Sequence, residues 1–312
     1  MTLFFYGQNW YELQRQVRQM ASAYVAKNGS DMGLERIDGS VVTVAGLHAA
    51  LTAAPFLANS RLVIIEDGAT NKALTSKWPE LLASVPSSTV AVFTEREVDQ
   101  RTAAFKALKG ADRVVKFEPL SAPKLLAWVK AEVAALGGTI EHAVARELVE
   151  RAGDDQWRLS GEIHKLVHYD LTVTSAGVQL MVQPTVERSI FDLVEAMTAG
   201  RTGVALAVYR ALLDQRESEM YVLTMILWQL RNLLMLKLAP EGMSPAEVAA
   251  AAGMSAFVAG KAAAAAAKLS ESQLRAGFAA AVECEYAIKS GRLKPEVAVE
   301  QLIVRVAGWA AA

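Results

Sequence analysis

Residues 3–17 read LFFYGQNWYELQRQV. An apolar, strand-like run meets Gly7, and an amphipathic, helix-like stretch follows at once. Strand, glycine turn and helix in that order begin a nucleotide-binding unit. A phosphate-cradling loop also needs the pattern G-x-x-x-x-G-K-[ST]. Its glycines let backbone N–H groups converge on phosphates, its lysine pairs their charge, and its hydroxyl holds the metal. After Gly7 there is no second glycine, no lysine in place and no Ser or Thr, and Trp10 and Tyr11 stand where phosphates need room. Gly7, Trp10 and Tyr11 therefore read as a degenerate nucleotide loop that keeps the shape without the chemistry, and no cofactor is expected.

Working outward, the first 119 residues alternate short runs rich in Val, Ile and Phe (LFFY, LERID, RLVIIED, TVAVFTE, RVVKFE) with longer amphipathic pieces. This alternation predicts an α/β domain with a parallel sheet and crossover helices. After FEPLSAPK the β-branched runs nearly vanish, and apolar residues recur at i, i+3, i+4 with Ala and Leu between them, so the remainder is expected to be helical throughout. A Thr-, Ser- and Gly-containing segment ending at Pro184, before a new helix near Val186, marks a second seam. The expected domains are 1–119, 120–184 and 185–312, with net charges of +1, −2 and 0. The run KAAAAAAKL (261–269) predicts a close helix contact rather than low complexity.

A chain of 312 residues, 53% hydrophobic and 21% charged, is long enough for two or three domains and too apolar for extensive disorder. Lys plus Arg number 32 against 33 acidic residues, so any nucleic-acid contact must be local or shared with partners. The single cysteine, Cys284, excludes an internal disulfide and a Cys-rich zinc site, and fits the cytoplasm. The start has no basic region ahead of its apolar run and is not expected to be a signal peptide. The most apolar later run, MYVLTMILWQLRNLLMLK, is interrupted by Gln229, Arg231 and Asn232, so no membrane span is expected.

No active site emerges from spacing. The run RLVIIED ends in Glu66 and Asp67, as a metal-positioning strand does in ATPases, but without a phosphate loop these read as solvent-facing acids at a strand end. His164 and His168 have the spacing of a zinc pair, yet Lys165 and Leu166 stand where a general-base Glu would be expected, and an ordinary helical pair is favoured. His48, His142 and Cys284 form no triad or Cys/His pair by spacing. No catalytic residue and no metal ligand is expected.

The chain resembles the delta-subunit family of the bacterial DNA polymerase III clamp loader. The likeness rests on FFYGQNWYEL, LTAAPFLANSRLVIIED, PKLLAWVKAEVAALGGTIEHAVARELVERAGDD, SIFDLVEAMTAGRTGVALAVYRALL, MILWQLRNLLMLK and AAVECEYAIKSGRLKPEVAVEQLIVRV, in the family's order. The resemblance implies an AAA+-like α/β domain with a degenerate nucleotide site, a small helical lid domain and an all-α collar domain that assembles with other loader subunits. It implies a subunit that does not hydrolyse ATP. Such a subunit opens the sliding clamp (beta subunit) by inserting an apolar wedge, while ATPase subunits in the same hetero-oligomeric ring control its timing on primed DNA.

In this family the wedge lies just before the strand that here reads RLVIIED, which places it on AAPFLANSR. Phe56 with Leu57 makes an apolar pair flanked by small and polar residues, as an interface anchor requires. Read from the residues alone, the same run equally suits a buried helix-to-strand corner; the resemblance favours the wedge. Many relatives carry Leu-Phe where this chain has Pro55-Phe56, so Pro55 and Leu57 both stand as partners of Phe56. The basic turn of Lys289, Arg292 and Lys294 suits a DNA phosphate or, more commonly, solvated residues at a helix end. Two rival readings stand beside this one. An AAA+ ATPase or helicase loader would show saturable nucleotide binding, and the loader's other catalytically inactive subunit carries zinc-binding cysteines, against which the lone Cys284 speaks.

Overall fold

Each of the five apolar runs of the first part forms a strand: β1 (Thr2–Tyr6), β2 (Leu34–Asp38), β3 (Arg61–Glu66), β4 (Thr89–Glu95) and β5 (Arg113–Lys116). In the computed structural model, which describes residues 1–56, 59–96, 98–240, 242–252 and 256–311, these strands pair in parallel in the order β2-β3-β4-β1-β5. They belong to the first of two compact units, Met1–Leu120 and Ser121–Ala312.

The near-continuous apolarity of the central strands follows from burial on both faces. Side chains alternate across a strand, so Leu3, Phe5, Leu62, Ile64 and Val92 turn one way, toward Leu13, Val17, Ala21 and Tyr24 of helix α1 (Trp10–Asn28). Phe4, Tyr6, Val63, Ile65, Ala91 and Phe93 turn the other way. There they meet α2 (Val44–Thr52), α3 (Trp78–Ala83) and α4 (Ala103–Leu108) through Leu47, Leu51, Trp78, Leu81, Phe105 and Leu108. The first strand in sequence thus lies inside the sheet, with the carboxyl ends of β4 and β5 on either side of its own. In open α/β sheets that edge is where ligands and catalytic loops collect.

The second unit holds α5 (Ala122–Ala135), α6 (His142–Ala152), α7 (Gln156–Tyr169), α8 (Ser175–Met181), α9 (Val186–Thr198) and α10 (Thr202–Asp214). It continues with α11 (Glu219–Lys237), α12 (Pro245–Ala252), α13 (Ala256–Lys268), α14 (Glu271–Lys289) and α15 (Pro295–Ala311). The expectation of helix throughout needs one correction. Strands β6 (Thr139–Ile140) and β7 (Thr172–Val173) pair in parallel, where β-branched residues follow the exits of α5 and α7. Short polar residues start the helices: Ser218 and Ser270 accept from the amides of Tyr221 and Gln273, and Gln273 answers Ser270 in a capping box.

A hydrophobic cluster of residues 190–306 joins α9, α10, α11, α13, α14 and α15 and takes no member from 121–184. Helix α11 lies at its centre, packed by α9, α13, α14 and α15. Ala262 and Ala266, one turn apart on α13, are buried where that helix meets α11, so the alanine run makes the expected close contact. Among the described residues, no helix is long and apolar enough to cross a membrane.

Candidate functional site

Helix α2 begins conventionally, with the Thr43 hydroxyl accepting from the amide of Gly46. Its end is unusual, because the sequence Thr-Ala-Ala-Pro supplies no glycine to turn the chain and satisfy the last carbonyls. Arg61, the first residue of β3, does this from across the loop. Its guanidinium Nη1 donates to the carbonyls of Ala50 at 2.5 Å and Ala53 at 3.2 Å, and Nη2 meets Glu35 Oε2 at 2.5 Å. The returning end of the same loop is held from the other side, where the Tyr24 hydroxyl donates to the Ser60 carbonyl at 2.7 Å. Gly33 makes that contact possible, since a Cβ there would come within 2.0 Å of the Tyr24 oxygen.

Between these two anchors stand the residues the sequence singles out. Phe56 is 73% exposed and therefore does not fill a helix-to-strand corner. Pro55 is half-buried, and Leu57 lies outside the described residues. Sequence reasoning missed Arg61. The signal was an arginine opening an otherwise apolar strand, a place where a charge must find partners.

At the carboxyl edge of the sheet, the Gly7 loop is closed by its own chain. Gly7 has φ +135°, and a Cβ there would lie 2.2 Å from the Phe117 carbonyl oxygen, so only glycine fits. The loop amides are engaged in turn: Gly7 donates to Glu95 O, Asn9 to Phe117 O, Trp10 to Gln8 O and Leu13 to Asn9 O. The Asn9 side chain caps α1 by accepting from Glu12 N, and its Nδ2 donates to Glu118 O at 3.3 Å. Tyr11 is buried and Trp10 packs against the core beneath α1. An open cleft of about 740 Å³ remains beside the loop, lined by Tyr6, Gln8, Arg96, Lys116 and Phe117 among others. Lys116 is already paired with Glu118 at 2.6 Å.

Two family models match the chain: "DNA polymerase III, delta subunit" over residues 3–118 and "DNA polymerase III delta subunit, C-terminal domain" over residues 187–306. The chain belongs to the DNA polymerase III delta-subunit family. This delta-family chain is similar in fold to the DNA clamp loader delta protein of Bacillus subtilis, at 22% identity and a TM-score of 0.71, covering 98% of this chain and 95% of that one. It also matches a mutant form of Thermotoga maritima RuvB, at 13% identity and a TM-score of 0.40, over 89% of this chain and 80% of that one. No curated protein matches it in sequence. The delta subunits to which the chain belongs are accessory components of the clamp loader in DNA replication.

The remaining residues named from sequence separate into paired and free groups in the delta-family chain. Asp67 is exposed at the end of β3, and Glu66 meets Arg36 at 3.5 Å. The acid that is buried at this edge is Glu95, only 1% exposed, whose Oε1 accepts from the amide of Ala69 at 2.6 Å while Oε2 has no partner among the described residues. Burial, helped by the nearby Asp67 charge, pushes its carboxyl up to about 7. Sequence reasoning missed this residue, because a Glu closing a strand looks like any exposed acid.

The end of α14 and the turn after it carry Lys289, Arg292 and Lys294, all exposed. Lys289 pairs with Glu285 at 2.7 Å, Arg292 lies over the Tyr286 ring at 5.2 Å, and Lys294 is exposed. His168 uses Nδ1 on the His164 carbonyl at 2.7 Å, which is helix geometry rather than a metal pair. Among the described residues no group of three or more His, Cys, Asp or Glu side chains converges as a metal site.

Proposed function

We propose that this delta-family chain is the clamp-loader subunit that binds the sliding clamp (beta subunit) and opens it, without hydrolysing ATP. The observation that carries this reading is Phe56, a large aromatic left 73% exposed on a loop whose two ends are fixed. An aromatic anchor presented in this way fills a partner's pocket and concentrates the binding energy of an interface. Pro55 and Leu57 complete the wedge around it. In this reading the loop of Gly7, Trp10 and Tyr11 binds no nucleotide, because its amides are committed to the chain's own carbonyls and its aromatic residues to the core.

Residues 1–119 carry the wedge, 120–184 act as the lid, and 185–312 form the collar that joins other loader subunits in a hetero-oligomeric ring. Primed DNA is reached through that ring, where Lys289, Arg292 and Lys294 offer a local positive charge that the chain as a whole lacks. The work is done in the cytoplasm.

The test is a titration of the purified chain with the sliding clamp of the same organism. Phe56→Ala is expected to weaken binding by about 2 kcal/mol or more, while the chain stays folded. Unchanged affinity in a folded variant would overturn the reading.

A further inference from the structure

We propose that Arg61 and Tyr24 are positioning residues for the clamp contact, holding the Phe56 loop in its docking shape without touching the partner. The inference rests on the reading of Phe56 given above and assigns part of the affinity to residues behind the loop.

The described parts of the loop, residues 53–56 and 59–60, join a helix that lacks its own stop to β3. Thr-Ala-Ala-Pro gives α2 no terminating glycine, and a helix end whose carbonyls go unsatisfied frays by its last turn. Arg61 holds that turn through two backbone carbonyls at once, and its positive charge sits at the negative end of the helix. The guanidinium is nearly buried, with 11% side-chain exposure, and Glu35 partners its remaining face. A fork of donors can bridge Ala50, Ala53 and Glu35 together, whereas an ammonium meets fewer of them in one geometry.

Tyr24 fixes the opposite end. Its ring belongs to the core between α1 and the sheet, so its hydroxyl delivers the hydrogen bond to Ser60 from a rigid support. The two anchors come from different elements and meet the loop at its two ends. Phe56 stands exposed between them. A loop whose ends are already held loses less conformational freedom on docking, and that difference appears in affinity.

The experiment uses the full chain and the same organism's sliding clamp, with hydrogen exchange of residues 53–60 and thermal midpoints measured alongside. Arg61→Met keeps the apolar stem and removes the fork. It is expected to weaken clamp binding roughly tenfold and to speed exchange within the loop, at a temperature where the chain remains folded. Arg61→Lys is expected to recover part of the affinity, a rescue that a change in global stability alone would not give. Tyr24→Phe removes only the hydroxyl and is expected to weaken binding roughly threefold. It decides the matter if Arg61→Met does not fold.

Affinities within twofold of the unmodified chain for the folded Arg61→Met and Tyr24→Phe variants, with Phe56→Ala impaired, would overturn this inference and leave the reading of Phe56 intact. Unimpaired binding by Phe56→Ala would overturn both. The two failures are therefore distinguishable.

Discussion

Glu95 ends the central strand β4 with a carboxyl that has exchanged water for one backbone amide. Its pKa of about 7 stands above the ordinary 4.5, so the folded chain holds this proton over a range where the unfolded chain has released it. Stability from this group is therefore greatest below the unfolded value and is lost as pH rises toward and through about 7. A shift of this size corresponds to about 3 kcal/mol at most. Glu95→Gln keeps an acceptor for Ala69 and cannot ionise. It should flatten the fall in urea midpoint between about pH 5 and about pH 8, and an unchanged slope would mean that Glu95 is not the titrating group. None of this was legible in TVAVFTE, because burial of a strand-end residue depends on what the next loop does. The Asn9 cap went unread, although an asparagine just before a helix with Glu12 three residues on is a capping signal. Phe56 was singled out through the family resemblance, since its residues alone suited a buried corner equally, and its exposure is a property of the folded loop that no local pattern encodes.

Among the elements, the inner strands β1, β3 and β4 could be read directly because apolar runs buried on both faces leave a dense signature, while the partly buried edge strands β2 and β5 were read from their place in the alternation. Helix α11 was harder. Its polar residues interrupt the apolar run in sequence, which suggests that they all reach water. Arg231 does, but Gln229 and Asn232 are buried, and the amide nitrogens of both and the Asn232 oxygen have no partner among the described residues. A buried unpaired amide costs roughly 1–3 kcal/mol. Asn232→Leu is therefore expected to raise the thermal midpoint by a few degrees in the isolated chain, as calorimetry would show. A lowered midpoint would mean that a bound water satisfies the amide. Periodicity could not distinguish these outcomes, since it assigns a face to each residue without saying how wide the buried face is. The β6–β7 pair escaped for a different reason: two residues are too few to carry any period.

At the scale of the molecule, Met1–Leu120 and Ser121–Ala312 each have their own hydrophobic core. Denaturant should then unfold the chain in more than one step. Trp78→Ala, in the sheet unit, is expected to move one transition earlier, and Ile226→Ala, in the helical unit, the other. Tryptophan fluorescence and circular dichroism would follow them, and a single transition displaced equally by both variants would refute separate cores. The change from strand-and-helix alternation to helix made the two textures legible, because they follow from different packing periods. The Gly7 loop has a consequence for reversibility. The missing phosphate-binding residues look like simple omissions that substitution could restore. Yet a lysine and a hydroxyl placed after Gly7 would find the amides of Gly7, Asn9, Trp10, Glu12 and Leu13 already bonded, that of Asn9 to Phe117 in the chain leaving β5. Regaining such a site would require withdrawing Phe117 and Glu118 as well, so single substitutions have no graded path back.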